Sequence, residues 1–143
     1  MLKGIPSILS PELLKILMEM GHGDELVIGD GNFPAASHAQ RLVRLDGHAV
    51  PEILDAILGL FPLDGFVESP AALMAVVPER DTPTPPIWAR YEEIIQKHEP
   101  QNNGVEQMVR FAFYERAKKA YVIVATGESA IYANIILKKG VIT

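Results

Sequence analysis

Apolar positions along the chain follow two alternating patterns, one typical of helices and one typical of buried strands. The Ser-Pro-Glu segment at 10–12 precedes apolar residues spaced three and four apart, namely Leu13, Leu14, Ile16, Leu17 and Met20. This spacing predicts an N-cap, a proline at the first helical position and a helix that ends at Gly21. The next apolar run, Glu25–Gly29, is short and ends in glycine, and it predicts a buried strand.

The rest of the chain repeats this alternation, which favours an α/β fold. Further helices are predicted over 51–60, from the Thr-Pro-Pro segment at 84–86 to residue 98, and over 111–120, and further strands over 40–45, 71–77, 121–126 and 134–138. Residues 78–86 form a proline-rich connection, which we expect to be the most mobile segment. A length of 143 residues suits one domain. We therefore predict a single compact domain over residues 1–143, with a central, mostly parallel sheet flanked by helices in three layers.

Composition adds an expectation about assembly. The chain is 48% hydrophobic and only 22% charged, with a mean hydropathy of +0.14. A domain of this size has too small an interior to hold all of that apolar surface. We expect part of the surplus to lie at contacts between subunits.

Charge and cysteine content exclude several classes of function. A net charge of −5 and a pI near 5.3 argue against nucleic-acid binding, which needs a clustered basic face.

The sequence also argues against a membrane protein, because no apolar run approaches the ~18 residues of a membrane span. The amino terminus carries Ser10, Glu12 and Lys15 where a signal peptide would be apolar, so we expect a cytoplasmic protein. Without cysteine there is no disulfide, thiolate nucleophile or cysteine zinc site.

His22 is the first candidate for chemistry because glycines flank it at a helix-to-strand junction. Glycine lets the backbone approach a ligand, and imidazole exchanges protons near neutral pH. Asp24 lies two residues further on, and Asp30 lies beyond the predicted strand. At about 3.3 Å per residue, that strand separates His22 from Asp30 by too much for a direct pair unless the chain bends. A solvated turn histidine remains an equal alternative.

Two further groups of polar residues are candidates for binding. Arg110 precedes an aromatic helix and offers several fixed donors to hydroxyls or a carboxylate. The alternative is a structural helix that buries Phe111, Phe113 and Tyr114 and pairs Glu115 with Lys118 or Lys119. Residues 132–134, Tyr132, Ala133 and Asn134, lie between a turn and the last strand, where they can face a polar ligand or merely form the strand entry.

The remaining motifs point to no cofactor. His38, His48 and His98 lack the spacing of metal ligands, so we expect no structural metal. The glycines match neither a dinucleotide fingerprint nor a phosphate loop, and no Gly-x-Ser-x-Gly segment exists.

Taken in order, several segments resemble the D-ribose pyranase and fucose mutarotase family over essentially the whole chain. They are Met-Leu-Lys-Gly-Ile at 1–5, Ser-Pro-Glu-Leu-Leu at 10–14, Gly-His-Gly-Asp-Glu at 21–25, Asp30 with Asn-Phe-Pro-Ala at 32–35, Arg-Phe-Ala-Phe-Tyr-Glu-Arg-Ala at 110–117, Thr-Gly-Glu at 126–128, Tyr-Ala-Asn-Ile at 132–135 and Leu-Lys-Lys-Gly-Val at 137–141. The Phe-Ala-Phe-Tyr-Glu-Arg segment at 111–116 and the Leu-Lys-Lys-Gly segment at 137–140 are more similar to the fucose branch than to the ribose branch. Ala133 stands where relatives often have glycine, and residues 78–86 are richer in proline than is usual.

The resemblance implies a cofactor-free enzyme that interconverts the α and β anomers of a free sugar, L-fucose in this branch, for a catabolic pathway. It implies His22 as the proton donor and a substrate site made of Asp30, Arg110, Tyr132, Ala133 and Asn134. It also implies a homo-oligomeric ring, commonly a decamer of two pentamers, with the sugar near a subunit contact. A pyranase-type activity on another monosaccharide, a sugar-binding module without turnover and, less favoured, a metal-dependent isomerase or epimerase remain alternatives.

Overall fold

The computed structural model describes residues 1–78 and 83–143, which contain five helices and six strands that alternate until the last two strands, which follow each other directly. In chain order the elements are α1 (Pro11–Glu19), β1 (Glu25–Gly29), α2 (Ala35–His38), β2 (Leu42–Leu45), α3 (Val50–Leu58), β3 (Ala71–Met74), α4 (Pro86–His98), β4 (Val105–Met108), α5 (Arg110–Lys119), β5 (Val122–Thr126) and β6 (Ile135–Lys138). The predicted α/β class is confirmed.

The six strands form one sheet in the order β2-β5-β1-β6-β3-β4. The β2–β5, β5–β1 and β3–β4 pairs are parallel, whereas β6 runs antiparallel to both β1 and β3. Ile28, for example, pairs with Val124 on one side and with Ile135 on the other. The sheet is therefore mostly parallel, as predicted, with one reversed strand near its centre.

Both faces of the sheet are covered by helices because the central strands are apolar on both sides. On one face, Leu26 and Ile28 of β1 pack in a cluster with α1, α3 and α4. On the other, Val27 packs in a cluster with Phe113 of α5 and Ala35 of α2. Each fully buried leucine, isoleucine or phenylalanine contributes about 1.5–3 kcal/mol relative to an exposed one. The three-layer arrangement follows from this two-sided burial.

The predicted boundaries are mostly accurate at helix starts. The Ser10 hydroxyl accepts a hydrogen bond from the Leu13 backbone N–H at 3.2 Å, and so caps α1 as predicted. Strands are shorter than predicted: β2 begins at Leu42 rather than residue 40, and β3 ends at Met74 rather than residue 77. The proline-rich connection predicted over 78–86 has its middle, residues 79–82, outside the described part of the chain.

Two elements were missed. The α2 helix, Ala35–His38, is a single turn of four residues, too short to show a helical repeat. The β4 strand, Val105–Met108, is an edge strand whose middle residues, Glu106 and Gln107, are exposed. It therefore lacks the apolar run that marks the other strands. Within the described ranges, every helix is too short or too polar to cross a bilayer.

Candidate functional site

A cavity of about 450 Å³ opens at the edge of the sheet where β1, β3 and β4 end and the antiparallel β6 begins. It is lined by Asp30, Asn32, Phe33, Met74, Val77, Arg110, Tyr114, Ile131, Tyr132 and Asn134. The carboxyl ends of strands are where open α/β sheets usually bind ligands. Four of the residues predicted for the site, Asp30, Arg110, Tyr132 and Asn134, thus come together here from three distant parts of the sequence.

Asp30, directly after β1, is the buried acidic group of the cavity. Its carboxylate accepts hydrogen bonds from the backbone N–H groups of Asn32, at 3.0 Å, and Ala133, at 3.4 Å. Its own backbone N–H donates to the Asn134 side-chain oxygen at 2.7 Å. Burial raises the pKa of the Asp30 carboxyl, against the opposing effect of these backbone donors. The result is a fixed carboxylate whose uncommitted lone pairs can accept from a ligand hydroxyl.

The Tyr132-to-Asn134 segment enters β6 through an unusual backbone conformation. Tyr132 has a φ of 55°, the left-handed region that costs a residue with a Cβ about 1–2 kcal/mol. Its phenol oxygen accepts from the Val77 backbone N–H at 3.4 Å. Because the Asn134 oxygen is committed to Asp30, its amide nitrogen is the group that can donate to a ligand. Ala133 is fully buried behind the cavity rather than lining it.

Arg110 is the first residue of α5 and supplies the cationic group of the cavity. Its Nε donates to the Tyr114 hydroxyl at 3.2 Å, and its guanidinium carbon lies 5.3 Å from the Tyr114 ring centroid. Further along the helix, Arg116 pairs with Glu106 at 2.7 Å and also with Glu25, which ties α5 to β4 and β1. The basic group is therefore carried by an anchored helix.

The structural alternative for α5 is partly correct. Phe113 is fully buried, and Glu115 pairs with Lys118 at 2.9 Å, both as predicted. The expected burial of Phe111 is wrong, since this ring is 75% exposed. Phe111 precedes the buried Phe113 by two positions, and residues two apart on a helix point in different directions.

His22 lies at the opposite end of β1 from this cavity, as the strand length predicted. The strand alone separates the two ends by about 13 Å, at 3.3 Å per residue. His22 instead borders an apolar groove of about 800 Å³ between α1 and the two chain ends. Within one copy of the chain, the predicted proton donor and the predicted sugar-binding residues do not meet.

His22 has a buried partner that sequence reasoning missed. Its Nε2 lies 3.1 Å from Asp64 Oδ1, and its ring centroid lies 5.4 Å from that of Phe66. The Asp64 side chain is only 5% exposed, whereas that of His22 is 46% exposed. The Phe66 backbone N–H, followed by the His22 ring, holds the pKa of the Asp64 carboxyl below its usual range. The Asp-Gly turn at 64–65 marks a polar loop in the sequence, but nothing there indicates a partner 42 residues away.

The other three histidines make contacts away from the His22–Asp64 pair. His48 contacts Glu52 at 3.2 Å, His98 contacts Asp55 at 2.6 Å, and His38 stacks edge-on against Tyr114. Across residues 1–78 and 83–143, no three histidine or carboxylate side chains lie close enough together to hold a metal ion.

Comparison with known proteins connects this geometry to a family. Fucose mutarotase of Homo sapiens is 52% identical to this chain over 147 residues, which cover 99% of this chain and 94% of the relative. L-fucose mutarotase of Actinobacillus pleuropneumoniae serotype 5b is 52% identical over 141 residues, which cover 99% of this chain and 97% of the relative. The crystal structure of a fucose mutarotase in complex with L-fucose, from Streptococcus pneumoniae, superposes with a TM-score of 0.94 at 53% identity, covering 99% of this chain and all of that one. Residues 3–142 match the RbsD / FucU transport protein family, and the chain belongs to that family.

Proposed function

We propose that this chain is an isomerase that interconverts the α and β anomers of L-fucose by acid–base ring opening and closure. The observation that carries this proposal is the full-length match, in sequence and in fold, to a fucose mutarotase with L-fucose bound. The polar cavity supports it independently. Its 450 Å³ suits a monosaccharide, and it offers a carboxylate, a guanidinium, a phenol and a carboxamide to a ring of hydroxyl groups.

The reaction requires only proton transfers and a bond rotation. A proton reaches the ring oxygen and another leaves the anomeric hydroxyl, so that the ring C–O bond breaks and an aldehyde forms. The aldehyde then rotates, and the reverse steps close the ring on its other face. Groups that donate and accept protons near neutral pH suffice for this chemistry.

We assign the roles as follows. His22 is the proton donor to the sugar ring, and the Tyr132 phenol is the second proton carrier. Asp30 accepts hydrogen bonds from sugar hydroxyls. Arg110 and Asn134 donate to the hydroxyls that distinguish one sugar from another. Ala133, behind the cavity, contributes through its backbone, since its N–H holds the Asp30 carboxylate.

Because His22 lies far from the cavity of its own copy, we propose that each site is completed by the His22 of a neighbouring copy. Exposed apolar side chains accompany both regions, as a subunit contact requires. Leu2, Met18 and Ile142 line the groove beside His22, while Ile131 lines the cavity and Phe111 follows Arg110. Two different surfaces in contact give a head-to-tail arrangement, which forms a ring when the rotation between neighbouring copies closes. We accordingly propose a ring-shaped homo-oligomer, a decamer by resemblance, that works in the cytoplasm.

The proposal is tested by NMR saturation transfer between the anomeric protons of L-fucose, with D-ribose and D-galactose in parallel. We expect the purified protein to accelerate exchange of L-fucose most strongly. Faster exchange of D-ribose than of L-fucose would identify a pyranase-type enzyme instead. No acceleration of any sugar, with L-fucose still bound, would identify a binding module, and loss of activity in chelator would point to a metal-dependent reaction.

The contact with Asp64 supports the role of His22. An ionised carboxylate has no proton to donate, so the imidazole nitrogen that faces it, Nε2, carries the hydrogen. The other ring nitrogen, Nδ1, is then the atom that exchanges protons with the sugar: it donates when the ring is an imidazolium and accepts when the ring is neutral. Asp64 in turn is held by the Phe66 N–H at 3.0 Å.

Asp64→Asn should lower the free energy of unfolding at neutral pH, and the deficit should shrink in acid. The folded pKa of Asp64 lies below its unfolded value near 3.9, so ionised Asp64 stabilises the fold above that pH. This contribution disappears as the pH falls from about 3.9 through the lower folded value. Urea unfolding of both proteins between pH 7 and pH 2.5 measures the deficit.

Asp46→Asn serves as the matched control. Asp46 also has a lowered pKa, caused by its hydrogen bonds with Arg44, but both of these side chains are 56% exposed. Solvent screens exposed pairs, so the deficit should be much smaller. Equal deficits for the two variants, or a deficit for Asp64→Asn that persists unchanged at pH 2.5, would contradict the ionic interaction assigned to Asp64.

A further inference from the structure

We propose that Trp88 and Tyr91, on the buried face of α4, are positioning residues that hold the Tyr132-to-Asn134 segment and thereby place the Tyr132 phenol and the Asp30 carboxylate. The predicted effect of these residues on the reaction rate rests on the proposed function. Neither residue lines the cavity. Both act through the backbone of residues that belong to the site.

Two donors from one helix reach two successive carbonyl groups. The Trp88 indole N–H donates to the Tyr132 carbonyl at 2.7 Å, and the Tyr91 hydroxyl donates to the Ala133 carbonyl at 2.7 Å. Trp88 is 5% exposed and Tyr91 only 1%. Because residues three apart lie on the same helix face, the pair acts as one clamp on the segment.

The clamp holds the segment where it needs support. Tyr132 is the one residue other than glycine with a positive φ in the described part of the chain. Such a conformation persists when surrounding contacts determine it, and these two hydrogen bonds fix the peptide groups on its carboxyl side. Without them, the segment can relax towards an ordinary conformation and move the phenol.

The same clamp extends to Asp30. The Ala133 carbonyl accepts from Tyr91, while the Ala133 N–H donates to the Asp30 carboxylate. Ala133 alone thus links Tyr91 of the α4 helix to the Asp30 carboxylate through two hydrogen bonds. Burial, helped by the charges of Glu128 and Asp30, raises the pKa of the Tyr91 phenol, so it stays a donor throughout the working pH range.

The test uses Trp88→Phe and Tyr91→Phe, each of which removes one donor and keeps an aromatic ring. We expect kcat for L-fucose exchange to fall on the order of ten-fold in each variant, because a displaced Tyr132 phenol lowers the rate in the bound state. KM should change little in Trp88→Phe and should rise in Tyr91→Phe, since Tyr91 also positions the Asp30 carboxylate that binds sugar hydroxyls. Trp88→Phe added to Tyr132→Phe should cost little beyond Tyr132→Phe alone, since the phenol it positions is then absent.

Two controls separate positioning from stability. Ile95→Val shortens a fully buried side chain of the same helix without removing a donor, and it should lower Tm while leaving kcat unchanged. Tyr121→Phe removes a hydroxyl that donates to Glu19 on another surface, and it should change neither. An unchanged kcat in both clamp variants, or a loss fully additive with Tyr132→Phe, would overturn the proposal.

A measurement without turnover keeps the test independent of the proposed function. With ¹³C-labelled tyrosine, the ring signal of Tyr132 should shift in Trp88→Phe and Tyr91→Phe and stay in place in Ile95→Val. A signal that moves in none of the three variants contradicts the clamp whether or not the protein acts on L-fucose. Absence of exchange by the wild type, with the signal shifting as expected, contradicts only the proposed function.

Discussion

His22→Ala is expected to slow L-fucose anomer exchange by about a hundred- to ten-thousand-fold, the range typical of a lost general acid–base group. The imidazole is the exposed half of a pair whose other half, Asp64, is buried. Its loss removes the proton donor and leaves the hydroxyl-binding residues of the cavity in place. Saturation transfer should therefore show a large fall in kcat with sugar binding retained.

His48→Ala is the matched control for this variant. The His48 side chain is 42% exposed against 46% for His22, and it also contacts a carboxylate, that of Glu52, at 3.2 Å. It lies before α3, in neither the cavity nor the groove beside His22. Full activity in a folded His22→Ala protein would remove His22 from the mechanism, and an equal loss in His48→Ala would show that the assay reports general damage.

The helices and strands were predictable wherever a strong apolar repeat was bounded by a capping or turn residue. The α1 helix combines Ser10 as its cap with a stripe of buried leucine and isoleucine side chains, and both parts of the prediction were correct. The β4 strand could not be predicted in this way, because its two middle side chains are polar and its parallel pairing with β3 is not local in the sequence. The reversed direction of β6 was equally invisible, since direction depends on tertiary contacts rather than on the strand's own sequence.

The functional site was likewise predictable only in part. Sequence order and glycine-rich turns drew attention to His22 and Asp30, and the length of β1 predicted their separation. Asp64 could not be predicted because its chemistry depends on a partner 42 residues away. In the sequence, Trp88 and Tyr91 look like ordinary core residues of a helix. Only their hydrogen bonds to the Tyr132 and Ala133 carbonyls, seen in the structure, show a role beyond packing.

Co-expression of His22→Ala with Tyr132→Phe should restore about a quarter of wild-type activity if each site combines His22 of one copy with the cavity of its neighbour. Each variant alone should lose activity by about a hundred-fold or more, because each lacks one proton carrier in every site. With random mixing, half of the cavities retain Tyr132, and half of those face a neighbour that retains His22.

Co-expression of His22→Ala with the double variant His22→Ala/Tyr132→Phe is the control, since no pairing there restores a complete site. If saturation transfer finds the mixed sample no more active than the two single variants, the groups act within one copy, and the roughly 13 Å of β1 between them must be bridged by a rearrangement of that copy.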